Sequence, residues 1–163
     1  NINTSINDAK IVIGVGPGFE AGVDCHAVVE TQRGHDLGRV LWKGRAVENT
    51  GVPGNIGGYT VERIIRASAE GKFKPAVSIG DNVNAGDIVA YCGDIPVYAS
   101  ISGIVRGLLQ EGVIVKAGMK SGDIDPRAKK EYCFTVSDKA NAIGGGVLEA
   151  VLSLINNSNH RVL

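Results

Sequence analysis

Residues 67–86 and 99–118 repeat one another at an offset of 32. Seven of the twenty aligned positions are identical: Ala67/Ala99, Ser68/Ser100, Gly71/Gly103, Gly80/Gly112, Val83/Val115, Ala85/Ala117 and Gly86/Gly118. Chance would give roughly one or two matches, so the chain carries one structural motif twice. Each copy runs through an extended segment, a glycine, a second extended segment and a turn of the form Gly-x-x-Val-x-x-Gly. In the first copy this turn reads Gly80-Asp81-Asn82-Val83-Asn84-Ala85-Gly86. Asp-Asn and Ala-Gly are turn chemistry, and the lone valine anchors the turn to a core. Strands are expected to follow at 87–92 and 119–123. Composition agrees: there are 23 glycines, and 20 Val plus 16 Ile make 36 against 8 Leu. That mixture suits short β-branched strands joined by tight turns.

A duplicated β-motif with this turn resembles the barrel-sandwich hybrid of biotinyl and lipoyl carrier domains, over residues 61–124. Those carriers present a Lys on the hairpin between the halves. Here the connection is Tyr91-Cys92-Gly93-Asp94-Ile95-Pro96-Val97-Tyr98, with no Lys. The fold is therefore expected without biotin or lipoate, and residues 93–96 read as a compact turn. The fold class expected is mainly β with one C-terminal helix: a barrel-sandwich-hybrid-like pseudo-twofold β unit at 61–124, embedded in an α+β domain made of 1–60 and 125–163.

Lys and Arg number 17, and so do Asp and Glu. A zero balance argues against a general binder of nucleic acid or acidic membrane. Three cysteines do not make a disulfide scaffold, and Cys25, His26, His35, Cys92 and Cys133 lack zinc-site spacing. No apolar run approaches the roughly 18 residues of a membrane span, and no signal peptide is visible. The chain opens Asn1-Ile2-Asn3 without Met, as a piece of a longer protein would.

Five chemically capable side chains, Glu30, Arg33, His35, Asp36 and Arg39, gather at the turn between apolar strands at 27–31 and 40–44. The plain reading is a solvated hairpin loop. The functional reading is an anion site, or less readily a metal site, with His35 tuned near neutral pH as acid or base. Gly16-Pro17-Gly18 after a short apolar strand is either a tight turn or a backbone nest for an anion. Residues 48–59, which include Asn49, form a long glycine-rich loop of the kind that is usually functional. Asp123 and Asp125 share one strand face. They would hold a cation, pair with Arg127 and Arg39, or serve as turn polarity. A strand is expected at 132–136 and a helix cap at Ser137-Asp138-Lys139-Ala140. Gly144-Gly145-Gly146 reads as the entry to a helix at 147–155, for packing or for anion binding at exposed amides. Residues 156–163 read as a fraying tail.

Taken end to end, the chain resembles the accessory ("system") protein family of selenium-dependent molybdenum hydroxylases. The motifs that carry this are Gly16-Pro17-Gly18-Phe19, Glu30-Thr31 with Arg33-Gly34-His35-Asp36-Leu37-Gly38-Arg39, Asn49-Thr50-Gly51-Val52-Pro53-Gly54 with Gly57-Gly58-Tyr59, Gly122-Asp123-Ile124-Asp125-Pro126-Arg127, and Ser137-Asp138-Lys139-Ala140 with Gly144-Gly145-Gly146. The match spans about residues 10–155 of this chain and corresponds to the C-terminal part of that family. It implies an accessory or maturation factor that binds a cofactor-related anion or the partner enzyme. The partner would be a molybdenum hydroxylase or its cofactor-assembly machinery. A cytoplasmic location without nucleic acid or membrane is expected, and a homo-oligomer is left open. The ligand-binding candidates are Gly16, Gly18, Glu30, Arg33, His35, Asp36, Arg39, Asn49, Asp125, Arg127 and Lys139. The alternative is an enzyme acting on a small anionic substrate, with His35 as acid/base and Arg33, Arg39 or Lys139 as anion clamps.

Overall fold

The computed structural model describes residues 3–159. The protein is mainly β, with one long C-terminal α-helix. It divides into two compact units, residues 1–51 with 136–163, and residues 52–135.

In the first unit β1 (Ile13–Val15) lies parallel to β3 (Ala27–Val29), and β3 is antiparallel to β4 (Val40–Leu41). Beside them β2 (Glu20–Ala21) pairs with β5 (Gly44–Arg45). His26 reinforces the parallel pair: its Nδ1 accepts from the Val12 amide at 3.1 Å, while its own amide donates to the Val12 carbonyl at 2.8 Å. Phe19, Ala21, Cys25, Val28 and Ala46 form one core cluster, and Ala27, Val40 and Ala150 form another.

Helix α1 (Asp138–Asn159) starts where the 137–140 cap is expected. The Ser137 hydroxyl accepts from the Ala140 amide at 3.2 Å, satisfying one of the free donors of the first turn. The helix therefore begins nine residues before Val147, and Gly144-Gly145-Gly146 lie inside it rather than ahead of it. Gly146 explains why: it is buried against the Gly38 carbonyl oxygen and Val29, where any side chain would collide. Close packing overrides the poor helix propensity of glycine. The helix seats through Gly146 and Ala150, with Val147, Val151 and Leu154 half-buried and Ile155 exposed. It continues through residues 156–159, which read as tail from sequence; residues 160–163 lie outside those described.

The second unit is the repeat. Its strands are β6 (Ile64–Arg66), β7 (Gly71–Pro75), β8 (Asn82–Val83), β9 (Ile88–Cys92), β10 (Ile95–Tyr98), β11 (Gly103–Leu108), β12 (Ile114–Val115) and β13 (Lys120–Asp125). They form two four-stranded sheets, ordered β10-β9-β7-β12 and β6-β13-β11-β8. An offset of 32 exchanges the two sheets: β9 and β7 shift forward onto β13 and β11, while β10 and β12 shift back onto β6 and β8, so the unit has a pseudo-twofold. The identical glycines explain the repeat. Gly80 and Gly112 take φ of 95° and 88°, and Gly86 and Gly118 take 92° and 79°. These are left-handed conformations that glycine adopts without strain. The short strands cross between copies: β8 pairs with β11, and β12 with β7. Phe73, Ile65, Val89, Val105, Val115 and Ile124 fill the space between the sheets.

Three details depart from the sequence expectation. Gly93-Asp94 alone forms the turn at 93–96, while Ile95 and Pro96 belong to β10. Tyr132 and Cys133 end a short 3-10 helix (Lys130–Cys133) instead of starting a strand, because the Cys133 thiol and the Lys130 stem pack against β11 and Gly80. The unit also reaches beyond 61–124 at both ends. Gly57 lies against Pro126 and the Gly54 carbonyl accepts from Arg63, so the preceding loop packs onto this core.

Candidate functional site

The 33–39 turn is a hairpin held by its backbone. The Glu30 amide donates to the Arg39 carbonyl and the Gly38 amide to the Glu30 carbonyl, both at 2.9 Å. The Glu30 side chain, buried, works inward. Its Oε1 accepts from the Thr31 and Gln32 amides at 2.7 and 2.8 Å, and its Oε2 from the Val47 amide at 2.8 Å. Burial alone would raise its pKa. The three amides outweigh that and hold the carboxyl below its usual value. Glu30 thus ties the hairpin to the segment after β5 at Val47, its carboxylate turned inward onto backbone amides.

Arg33 grips Asp138 through both terminal nitrogens, at 2.7 and 3.2 Å, and Arg39 grips Asp36 at 2.9 Å. Both pairs are exposed. Sequence reasoning offered Asp123 and Asp125 to Arg39, whose partner is instead Asp36, three residues away, and it missed the partner of Arg33, which is the first residue of α1. Lys139 follows Asp138 and is half-buried, and His35 stands exposed at the tip of the hairpin. Gly16 donates its amide to the Val29 carbonyl at 2.9 Å and lies against Thr31, so its turn serves the sheet. Gly18 is exposed with open space where a side chain would stand. Asn49 accepts from the Gly51 amide at 2.9 Å, a local turn in the long loop. The hairpin therefore gathers Glu30, Arg33, His35, Asp36, Arg39 and, through Asp138, the neighbourhood of Lys139. Asp125 and Arg127 belong to the second unit.

There they are part of a row of charges along β13. Asp123 and Asp125 project from the face opposite Ile124, whose side chain is in the core. Asp125, 1% exposed, accepts from Arg127 Nε at 2.9 Å, Arg127 Nη2 at 2.6 Å and the Arg127 amide at 3.0 Å. Arg106 reaches the same carboxylate at 3.4 Å. Arg127 donation is the largest influence on Asp125; burial opposes it, and the net effect lowers the pKa. The outer face of Arg127 lies 4.6 Å from the centre of the Tyr132 ring, a cation–π contact. Ala128 closes this turn at φ 54°, a conformation that costs a non-glycine residue about 1 kcal/mol. At the other end Arg63, 8% exposed, stands 3.8 Å from Asp123 and donates to the Gly54 carbonyl at 3.3 Å.

The pseudo-twofold supplies an internal control for this row. The counterparts of Arg106, Asp123, Asp125 and Arg127 are Lys74, Tyr91, Gly93 and Ile95. The fold is built equally well there without the ion pairs. The backbone also differs. Lys74 pairs in register with Tyr91, whereas a β-bulge sets Arg106 out of register, so that Asp123 faces Gly107. The bulge near Ser121 has a mate near Val89 and belongs to the fold. The bulge at Arg106 belongs to one copy alone, and bulges of this kind re-aim side chains. Arg63 and Arg106 escaped sequence reasoning because one reaches β13 from the 3-10 turn Val61–Arg63 ahead of β6 and the other from β11, with no shared motif. The one available signal was that the repeat alignment loses its identities there.

Among the described residues no three His, Cys, Asp or Glu side chains gather as a metal site, and no helix is long and apolar enough to cross a membrane. Cys25 is buried, and that burial raises its thiol pKa.

No family model matches the chain. It is 53% identical over 156 residues, 96% of its length, to the uncharacterized protein YqeB of Escherichia coli (strain K12), and it spans 29% of that protein. Among solved structures it is similar to an aspartoacylase family protein of Mesorhizobium loti, with a TM-score of 0.36 and 20% identity. That similarity covers 52% of this chain and 27% of the other.

Proposed function

We propose that the chain is the binding module of a cytoplasmic accessory factor that matures a selenium-dependent molybdenum hydroxylase, and that it engages a cofactor-related anion or the partner enzyme through the arginine face of β13. The family resemblance of its long motifs supports the maturation role. The observation that carries the placement is the broken symmetry: one copy of the motif has Arg106, Asp123, Asp125, Arg127 and a bulge where the other has neutral or unpaired residues. Charges that the other copy of the same motif does without point to a role beyond building that motif. The 33–39 hairpin is the weaker location, since its two arginines are each matched by a carboxylate.

The test is made in a host lacking the full-length protein. Restoring it with Arg106→Gln is expected to leave the melting temperature close to wild type, because Arg106 makes one long contact. The selenium content and activity of the hydroxylase should fall. Full selenium loading with this variant would overturn the assignment of this face.

A further inference from the structure

The arginines of this protein use their guanidinium edges in different ways. Arg45 holds Glu20 through Nε and Nη2, at 3.0 and 2.7 Å. Arg127 holds Asp125 through the same edge, at 2.9 and 2.6 Å. In Arg63 that edge has a neutral carbonyl, Gly54, at 3.3 Å from Nη2, and Nε has no hydrogen-bond partner among the described residues. The nearest carboxylate oxygen, on Asp123, lies 3.8 Å from Nη1, beyond hydrogen-bond length. Yet Arg63 is the most buried of these three guanidiniums. A buried charge with an unfilled donor edge is costly unless something completes it.

Three positive groups, Arg63, Arg106 and Arg127, face two carboxylates, Asp123 and Asp125. Asp125 takes up Arg127 and the long contact of Arg106, and Asp123 alone stands against Arg63, so the cluster carries one surplus positive charge. The roof over Arg63 is the glycine-rich stretch around Gly54. It is held together by local bonds, the Ile56–Tyr59 bridge and the Gly58 amide on Asn55 Oδ1 at 3.1 Å. Its grip on Arg63 is the long Gly54 bond.

Resting on the reading of this face as an anion site, we infer that the Nε–Nη2 edge of Arg63 receives the phosphate group of a small ligand. The phosphate takes the place of the Gly54 carbonyl, and the surplus charge of the cluster, to which Arg106 contributes from the far side of β13, strengthens its binding. A planar fork matches two oxygens of a tetrahedral oxoanion, and the surplus charge favours a dianion over a carboxylate.

The experiment follows the arginine Nε–H resonances of the 163-residue chain by 15N NMR at constant ionic strength. Inorganic phosphate, phenyl phosphate, acetate and chloride are titrated separately. Phosphate is expected to shift the Arg63 Nε–H saturably, and chloride is expected not to. Arg63→Lys, which keeps the charge without the fork, should weaken phosphate binding at least about tenfold, or ~1.4 kcal/mol. If that variant does not fold, Arg106→Gln replaces it and should weaken binding several-fold. Tighter binding of phenyl phosphate assigns the site to a phosphate ester, and equal binding assigns it to free phosphate. An unmoved Arg63 signal, equal affinity for acetate, or undiminished binding by the folded variant would overturn the inference. If it falls while Arg106→Gln still blocks selenium loading, the proposed function stands without the phosphate. If phosphate binds and loading is unaffected, the converse holds.

Discussion

Gly146 of α1 rests directly on the carbonyl oxygen of Gly38, and Gly38 in turn lies against Ala142, with the Ala142 carbonyl 2.5 Å from where a Gly38 side chain would begin. Two backbones touch, and neither position has room for a methyl group. Gly145, one residue away, has open space around it. Gly146→Ala is therefore expected to destabilise the protein by about 1–3 kcal/mol through overpacking. Gly145→Ala should stabilise it by about 0.5–1 kcal/mol by raising helix propensity. Urea denaturation of the two variants checks the contrast, and equal effects would contradict the packing.

Glu30 and Asp125 both titrate lower in the folded protein than in the unfolded chain, Glu30 through the amides that outweigh its burial and Asp125 chiefly through Arg127. Their contribution to stability is whole above the unfolded carboxylate range of about pH 4. It is lost as the pH falls further, through the depressed folded values. Glu30→Gln puts an amide donor among three backbone donors and is expected to cost about 1–3 kcal/mol at pH 7. The gap from wild type should narrow at pH 3. Denaturation midpoints at both pH values test this, and a gap that widens on acidification would refute it.

Arg33 and Asp138 are both well exposed. Arg33→Gln should change stability by less than about 1 kcal/mol, and less still in 1 M salt. Thermal melts at low and high salt measure it. A larger loss would mean the hairpin depends on this pair.

Phe73 and Val105 are symmetry mates, both fully buried between the sheets. Their volumes differ, so the core is not symmetric although the backbone nearly is. Phe73→Ala is expected to cost about 3–5 kcal/mol, more than Val105→Ala, since the larger truncation leaves the larger cavity. Chemical denaturation of the pair compares them directly.

The repeat was readable because its identities are backbone requirements. Gly80, Gly86, Gly112 and Gly118 adopt left-handed φ at matching turns, and the valines between them point into one core. Local rules failed where tertiary contact decides. Three consecutive glycines look like a break in a helix until Gly38 is placed beneath one of them. Tyr132-Cys133-Phe134-Thr135-Val136 has strand composition, yet Cys133 turns its thiol to the Val105 carbonyl from a 3-10 turn. The 33–39 hairpin was found as a cluster, but its charge balance depends on Asp138, far along the chain. Asp125 and Arg127 were visible as neighbours in sequence, whereas Arg63 and Arg106 meet them only across strands.

The crossing of β8 and β12 has a consequence for how the second unit comes apart. Each copy completes the other's sheet, so neither holds a closed set of backbone hydrogen bonds by itself. Unravelling one copy strips an edge strand from its twin and opens the shared interior at the same moment. The two halves are therefore expected to melt together as a single cooperative block, each leaning on the other's edge strand.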